Sequence, residues 1–335
     1  MKRKMYKRKN YHKGRWYQRN ILLAVATLIV LILCVSMVGS FFSHQHIAAP
    51  QVTERSDEEN LNESSLDIAV DLKHLYSPYA ILIDLDSGFS LAERNAQDRI
   101  YPASLTKIMT AVLSIENTDN MEEIITLPTD FFQKLYAENA SMAGFQPGER
   151  VRLRDLLYGI LLPSGAECCM AFANRIAGSE ETFVRMMNQK AEELGMENTH
   201  FCNATGLHDP EHYSTVEDIS ILLQYALKDE NFKAAFTSSR YSTISSDQHP
   251  EGFTFYSTMF KYMDSTEVTG GKIIGGKTGY TEEAGLCLAS LAEVGGKEYV
   301  LVTAKANGTH ETEQFHILDA MNVYSQIGKY EAENN

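Results

Sequence analysis

The chain has 335 residues, with 30 basic and 44 acidic side chains and a formal net charge of −14. An apolar content of 44% with 10% aromatic residues excludes a disordered chain, and 8 Pro with 21 Gly exclude collagen-like or Pro-rich fibres. The first 20 residues hold nine of the basic side chains and no acid, which leaves 21 basic against 44 acidic groups in the rest, a net −23. So acidic a body lacks the dense basic face that nucleic-acid binding needs, and no nucleic-acid partner is expected.

Ile21 to Phe42 is a run of 22 residues without a charge. At about 1.5 Å per residue, a helix of this length crosses a hydrocarbon core of about 30 Å. The run therefore reads as a single transmembrane helix in a lipid bilayer. The basic residues 1–20 stay on the cytoplasmic side and everything after Phe42 faces outward. The alternative is a signal peptide cut near Val38-Gly39-Ser40, which would release the protein; against it, the apolar run exceeds the usual length of such a segment. Cys34 follows Leu33, too bulky a neighbour for lipoprotein processing. Residues 43–70 begin polar and acidic, without an apolar period, and read as a flexible stalk.

Four cysteines lie beyond the span, Cys168, Cys169, Cys202 and Cys287. A domain of this size buries an adequate core without disulfides, and adjacent Cys168 and Cys169 on a helical pattern read as small core residues. No CxxC or Cys/His spacing points to zinc. His208 and His212 in the run HDPEH are separated by Asp209 and Pro210, where a zinc protease needs a helical Glu. Neither a metal nor a cofactor is expected.

From Ala80, two short apolar stretches around Asp86-Ser87-Gly88 read as a β-hairpin. Pro102 then precedes SLTKIMTAVLSIEN, where Leu105, Ile108, Met109, Val112 and Leu113 fall at helical spacing around most of the circumference, as in a buried helix. Residues from 120 to 235 read mainly as helices, including VRLRDLLYGILLP, AECCMAFANRIAG, EETFVRMMNQKAEELGM and STVEDISILLQYALKD. From 240 the pattern returns to strands in FTFYSTMF, EVTGGKIIGGKTGYT, AGLCLASLAEV and KEYVLVTAKAN, with a closing helix in ETEQFHILDAMNVYSQI. Strands, helices, then strands is the order expected when one sheet is built from both ends of the chain around an inserted helical subdomain. The turn Val294-Gly295-Gly296-Lys297 predicts an antiparallel hairpin between the last two strands.

Ser104-Leu-Thr-Lys107 sets a hydroxyl and an amine three residues apart at the start of the buried helix, on one face. Such an amine serves as a base for the serine if burial or charge keeps it partly neutral. The bland alternative is a capping serine with a surface lysine, but the apolar neighbours Ile108 and Met109 make a poor place for a solvated charge. Lys277-Thr278-Gly279 lies in a glycine-rich strand, where an edge free of side chains admits a ligand backbone, and lysine and threonine supply donors for a carboxylate.

These motifs, with PASLTKIMTA, LLPSG, MNQKAEELGMENTHFCNATGLHD, HYSTVED and GGKTGYTEEAGLCLA, resemble the serine D-alanyl-D-alanine carboxypeptidases among the low-molecular-mass penicillin-binding proteins. The resemblance implies an α/β (α+β) fold of the β-lactamase and penicillin-binding transpeptidase type, an antiparallel sheet flanked by helices with an inserted helical subdomain. It implies Ser104 as the nucleophile on peptidoglycan stem peptides, Lys107 as its base, and Ser164 as the relay of a proton to the leaving D-alanine. Lys277, Thr278 and Gly279 would bind the terminal carboxylate, and the backbone N–H groups of Ser104 and Tyr280 would form an oxyanion hole. β-Lactams would acylate the same serine.

The family's Ser-x-Asn is here Ser164-Gly165-Ala166, and no arginine follows Arg240, so Lys305 or His310 is the candidate to replace the one some members use. A slower hydrolase, or one with altered β-lactam affinity, is expected. The competing reading is a penicillin-binding sensor or scaffold with little turnover; a β-lactamase is disfavoured because no deacylating glutamate loop is visible, Glu167 lying within the helix after the second motif. No counterpart of the family's C-terminal β-domain and amphipathic anchor is expected, and the N-terminal span is expected to replace the anchor. The organisation read from the sequence is a basic tail at 1–20, a span at 21–42, a stalk at 43–70, a catalytic domain at 71–328 and a tail at 329–335, in a bacterial membrane with the domain outside.

Overall fold

The computed structural model describes residues 70–334. The basic tail, the apolar span at 21–42 and nearly all of the stalk lie outside these residues; within them no helix is long and apolar enough to cross a membrane.

The hairpin expected after Ala80 is present as β1 (Tyr79–Asp84) and β2 (Ser90–Arg94), paired antiparallel. After the helical segment, β7 (Glu267–Val268), β8 (Gly271–Thr281), β9 (Gly285–Val294) and β10 (Lys297–Ala306) follow, and β1 pairs with β10. The six strands run in the order β2-β1-β10-β9-β8-β7 with every pairing antiparallel, so both ends of the domain build one sheet. The predicted turn joins β9 and β10, with Lys297 opposite Val294.

Strand alternation sorts side chains to two faces. Ile81, Ile83, Cys287, Ala289, Leu291, Val300 and Val302 join the larger core beneath the helices. Leu82, Leu288, Ala292, Tyr299 and Leu301 face the other way, against the closing helix through Ile317, Val323, Tyr324 and Ile327. At the centre of the larger core is α1 (Lys107–Glu116), whose first eight residues are all buried. Around it stand α2 (Phe132–Ala137), α3 (Leu153–Leu161), α4 (Ala166–Ala177), α5 (Glu180–Glu193), α6 (Val216–Ala226) and α7 (Glu230–Phe236).

Three local expectations change. Val151 and Arg152, read as the start of a helix, belong to the strand β4 (Arg150–Arg152), paired with β3 (Ile124–Thr126); the helix begins at Leu153. A three-residue strand has no sequence period of its own and exists because its partner, 24 or more residues away, satisfies its backbone. In FTFYSTMF only β6 (Thr254–Tyr256) is extended, and it pairs with β5 (Arg240–Ser242) in a separate ribbon, because β7 occupies the edge of the main sheet. The closing helix α8 runs from Phe315 to Asn334, so residues 329–334 are helix rather than tail. That last turn is kept by tertiary contact: Tyr330 packs on the smaller core, and Tyr299 Oη donates to Glu331 Oε1 at 3.2 Å.

All four described cysteines are free thiols, and Cys168, Cys169 and Cys287 are buried.

Candidate active site

Pro102 caps a short 3-10 turn, Ala103–Thr106, that leads directly into α1. Ser104 sits in this turn, and no side-chain cap bond forms, so the serine is not there as a helix cap. Lys107, the first α-helical residue, is 2% exposed, and its Nζ donates to Ser104 Oγ at 3.1 Å. The same Nζ makes a short bond to the carbonyl oxygen of Thr205, 98 residues away. Burial pushes the Lys107 pKa below the ordinary lysine value, opposed by the nearby Cys169, Glu167 and Cys168. An ammonium with one carbonyl and one hydroxyl as partners and no direct carboxylate is held where deprotonation is easy.

The second serine lies where α3 ends and α4 begins. Ser164 is 5% exposed and adopts a left-handed conformation at φ 68°, a strained setting for a non-glycine residue. Lys277, on β8, is 0% exposed; its Nζ donates to Ser164 Oγ at 3.0 Å and to the Thr278 carbonyl at 2.8 Å. Burial, with Lys107 as the second cause, holds the Lys277 pKa well below the usual range. Thr278 is half-buried and its hydroxyl shares a 2.6 Å bond with Thr258. Gly279 passes so close to the serine turn that a Cβ there would lie 3.1 Å from Ser104 N. Each serine is thus paired with a buried lysine.

A cleft of about 730 Å³ opens over this arrangement, lined by Ser104, Lys107, Ala166, Tyr280 and His310 among others. Of the predicted residues, Ser104, Lys107 and Tyr280 line the cleft, while Lys277 sits behind Ser164. His310 stands against Tyr280 at 4.8 Å between ring centroids, its pKa lowered by burial and then by Lys277. Lys305 instead borders a smaller cavity with Arg99 and Tyr101. Ala166, where the resemblance led one to expect an amide, leaves a methyl group on the cleft wall.

Two contributors were not singled out from the sequence, and a third, Glu167, was read only as a residue of the helix after the second motif. The Thr205 carbonyl is a backbone atom, and no residue type announces it. Gly206 approaches the serine turn so closely that a Cβ would be 1.9 Å from Ala103 O; the Asn-x-x-Gly pattern in CNATG was the available signal. Glu167 is wholly buried, and its Oε1 accepts from Ala143 N at 2.7 Å and Gly144 N at 2.8 Å, pinning the loop that lies beside Ser164 and Gly165. Among the described residues no group of three or more His, Cys, Asp and Glu is placed to hold a metal ion.

The family model for D-alanyl-D-alanine carboxypeptidase matches residues 67–308. The chain is 34% identical to the D-alanyl-D-alanine carboxypeptidase DacF of Bacillus subtilis over 234 residues, covering 69% of this chain and 58% of that protein. It is 30% identical to DacC of Escherichia coli over 232 residues, covering 68% and 56% respectively. The chain thus spans under two thirds of the length of these relatives. A Streptomyces DD-transpeptidase crystal structure superimposes with a TM-score of 0.67 at 25% identity, covering 77% of this chain and 98% of that one. A match over residues 67–308, on a fold shared with that DD-peptidase, places the chain in the D-alanyl-D-alanine carboxypeptidase family.

Proposed function

We propose that this protein is a serine DD-carboxypeptidase that removes the terminal D-alanine from peptidoglycan stem pentapeptides through an acyl-enzyme on Ser104, the serine that β-lactams also acylate. The observation that carries the reading is the pairing of Ser104 with a buried Lys107 whose other partner is a backbone carbonyl. Neutral Lys107 takes the serine proton, one of its N–H bonds remaining on Thr205 O. Ser104 Oγ attacks the carbonyl carbon between the last two D-alanines, and the N–H groups of Ser104 and Tyr280 receive the oxyanion. The proton passes by way of Ser164 to the departing amine, and water then hydrolyses the ester.

Lys277 acts from behind. Its Nζ donates to the Ser164 hydroxyl and so orients it, and the Thr278 hydroxyl and the main chain at Gly279 would meet the substrate carboxylate. The domain is held at the outer face of a bacterial membrane by residues 21–42, with the N terminus inside, on the strength of the uncharged run and its basic flank.

A fluorescent penicillin tests the reading. Covalent label on the wild type and none on Ser104→Ala is the expected result, followed by release of D-alanine from a pentapeptide. An unlabelled wild type refutes the assignment, and labelling without D-alanine release refutes the turnover.

A further inference from the structure

His212, the second histidine of the HDPEH run, takes no part in the chemistry above, yet it is 2% exposed and both its ring nitrogens are engaged. Nδ1 accepts the Cys202 N–H at 3.0 Å. A nitrogen that accepts carries no proton, so the neutral ring bears its proton on Nε2 and donates it to Thr106 Oγ1 at 2.8 Å. The ring therefore joins two segments that meet again at Lys107. Thr106 closes the serine turn immediately before Lys107. Cys202 opens the segment whose Thr205 carbonyl accepts from Lys107 Nζ.

Between these points the segment is braced. Asn203 Oδ1 accepts from the N–H groups of Thr205 and Gly206 at 3.1 and 2.7 Å, and Asn203 Nδ2 donates to Leu207 O at 2.9 Å. Thr110 Oγ1, one turn along α1 from Thr106, donates to Ala204 O at 2.6 Å. A displacement at Cys202 is carried to Thr205 rather than absorbed on the way.

We infer that His212 is a positioning residue for Lys107: its Nε2–H tautomer sets the spacing between the Ser104–Lys107 turn and the Thr205 carbonyl, and so the direction in which Nζ faces Ser104. This rests on the roles proposed for Ser104 and Lys107. The peg requires a neutral ring, because a second ring proton would point at the Cys202 N–H. Burial keeps it neutral, pushing its pKa down to about 4; of the groups that reach it, Asp209 raises the value, and His200, His208 and Lys107 lower it.

Two half-pegs provide the test. In His212→Asn the side-chain oxygen replaces Nδ1 and retains Cys202 but loses Thr106; in His212→Gln the amide reaches toward Thr106 and loses Cys202. With the full chain in detergent, acylation by a fluorescent penicillin is resolved into noncovalent affinity and an acylation rate constant from about pH 5 to 10. Both variants are expected to acylate about 10- to 100-fold more slowly at unchanged noncovalent affinity. The acid limb, which reports loss of the Lys107 proton, moves to higher pH, since water admitted around Nζ relieves the burial that lowers its pKa. Unchanged rate constants with an unmoved limb in both variants overturn the positioning role, whatever happens to thermal stability. Failure of the parent reading is distinct: the wild type would then not be labelled at all. A spectrum of histidine-labelled wild type addresses the peg directly, with His212 expected as the neutral Nε2–H tautomer at about pH 5. A ring that titrates near its ordinary value of 6.5 overturns it.

Discussion

Gly206→Ala is the substitution that most directly probes how the serine turn at Ser104 is held. Gly206 has φ +80°, and a methyl carbon built on it would lie 1.9 Å from Ala103 O, 2.4 Å from Ala103 C and 3.0 Å from Ser104 N. These are backbone atoms, so no side chain can rotate away. Ala103 is itself at φ 45° and buried, and the Lys107–Thr205 bond draws the two segments together. The left-handed conformation costs an alanine about 1–2 kcal/mol, and overpacking adds about 1–3 kcal/mol, giving a destabilisation of about 2–5 kcal/mol in all. The overlap is relieved only if the serine turn or the Thr205 segment moves by about 1 Å, a displacement that costs about 100-fold in acylation. Gly195→Ala separates the two effects, because Gly195 has φ +76° with nothing within 4 Å of its Cβ position. It should show the backbone cost alone, about 1–2 kcal/mol, with acylation unchanged. The assay is the acylation rate with fluorescent penicillin beside urea unfolding of both variants. Equal destabilisation of the two, with wild-type acylation in Gly206→Ala, would show that close approach at Gly206 does not hold the serine turn.

Two further outcomes are expected. Burial pushes His316 from 6.5 down to about 4, and its Nδ1 has no hydrogen-bond partner. Because the unfolded chain binds the extra proton across that window, stability falls as the pH falls from 6.5 to 4. At about 1.36 kcal/mol per pKa unit, the ring's share is on the order of 3 kcal/mol. The loss of unfolding free energy between neutral pH and pH 4 should therefore be smaller in His316→Gln by about that amount, and an identical loss in both proteins counts against the buried neutral ring. Ala166→Asn restores an amide on the cleft wall beside Ser164. One hydrogen bond to a charged intermediate corresponds to about 10- to 100-fold, so D-alanine release should rise by about tenfold or more, and an unchanged turnover would make the missing amide irrelevant here.

Ser104 and Lys107 were legible because their relation is local: three residues along a helical turn put them on one face whatever surrounds them. The sheet was legible as a sum of alternating runs with turn residues between them, and its closure from both ends followed from their order. Short ribbons such as Ile124–Thr126 with Arg150–Arg152 were not, since three residues define no period and the pairing is fixed by a distant partner. Lys277 could be picked out by its glycine-rich strand, but its burial behind Ser164 could not, because that depends on how β8 packs against the turn between α3 and α4.

Sequence by itself therefore determined the uncharged run at 21–42 and its basic flank, the serine-and-lysine pair, and the two-ended sheet, each of which depends on neighbouring residues or on the order of segments. Only the tertiary structure decided what fits Lys107 for the role proposed for it. Its burial, the Thr205 carbonyl 98 residues away and the His212 ring that braces it come from chain segments whose contact no local pattern encodes. The physical reason is that a pKa and a lone-pair direction are properties of an environment, and the environment of Lys107 is assembled from the whole fold.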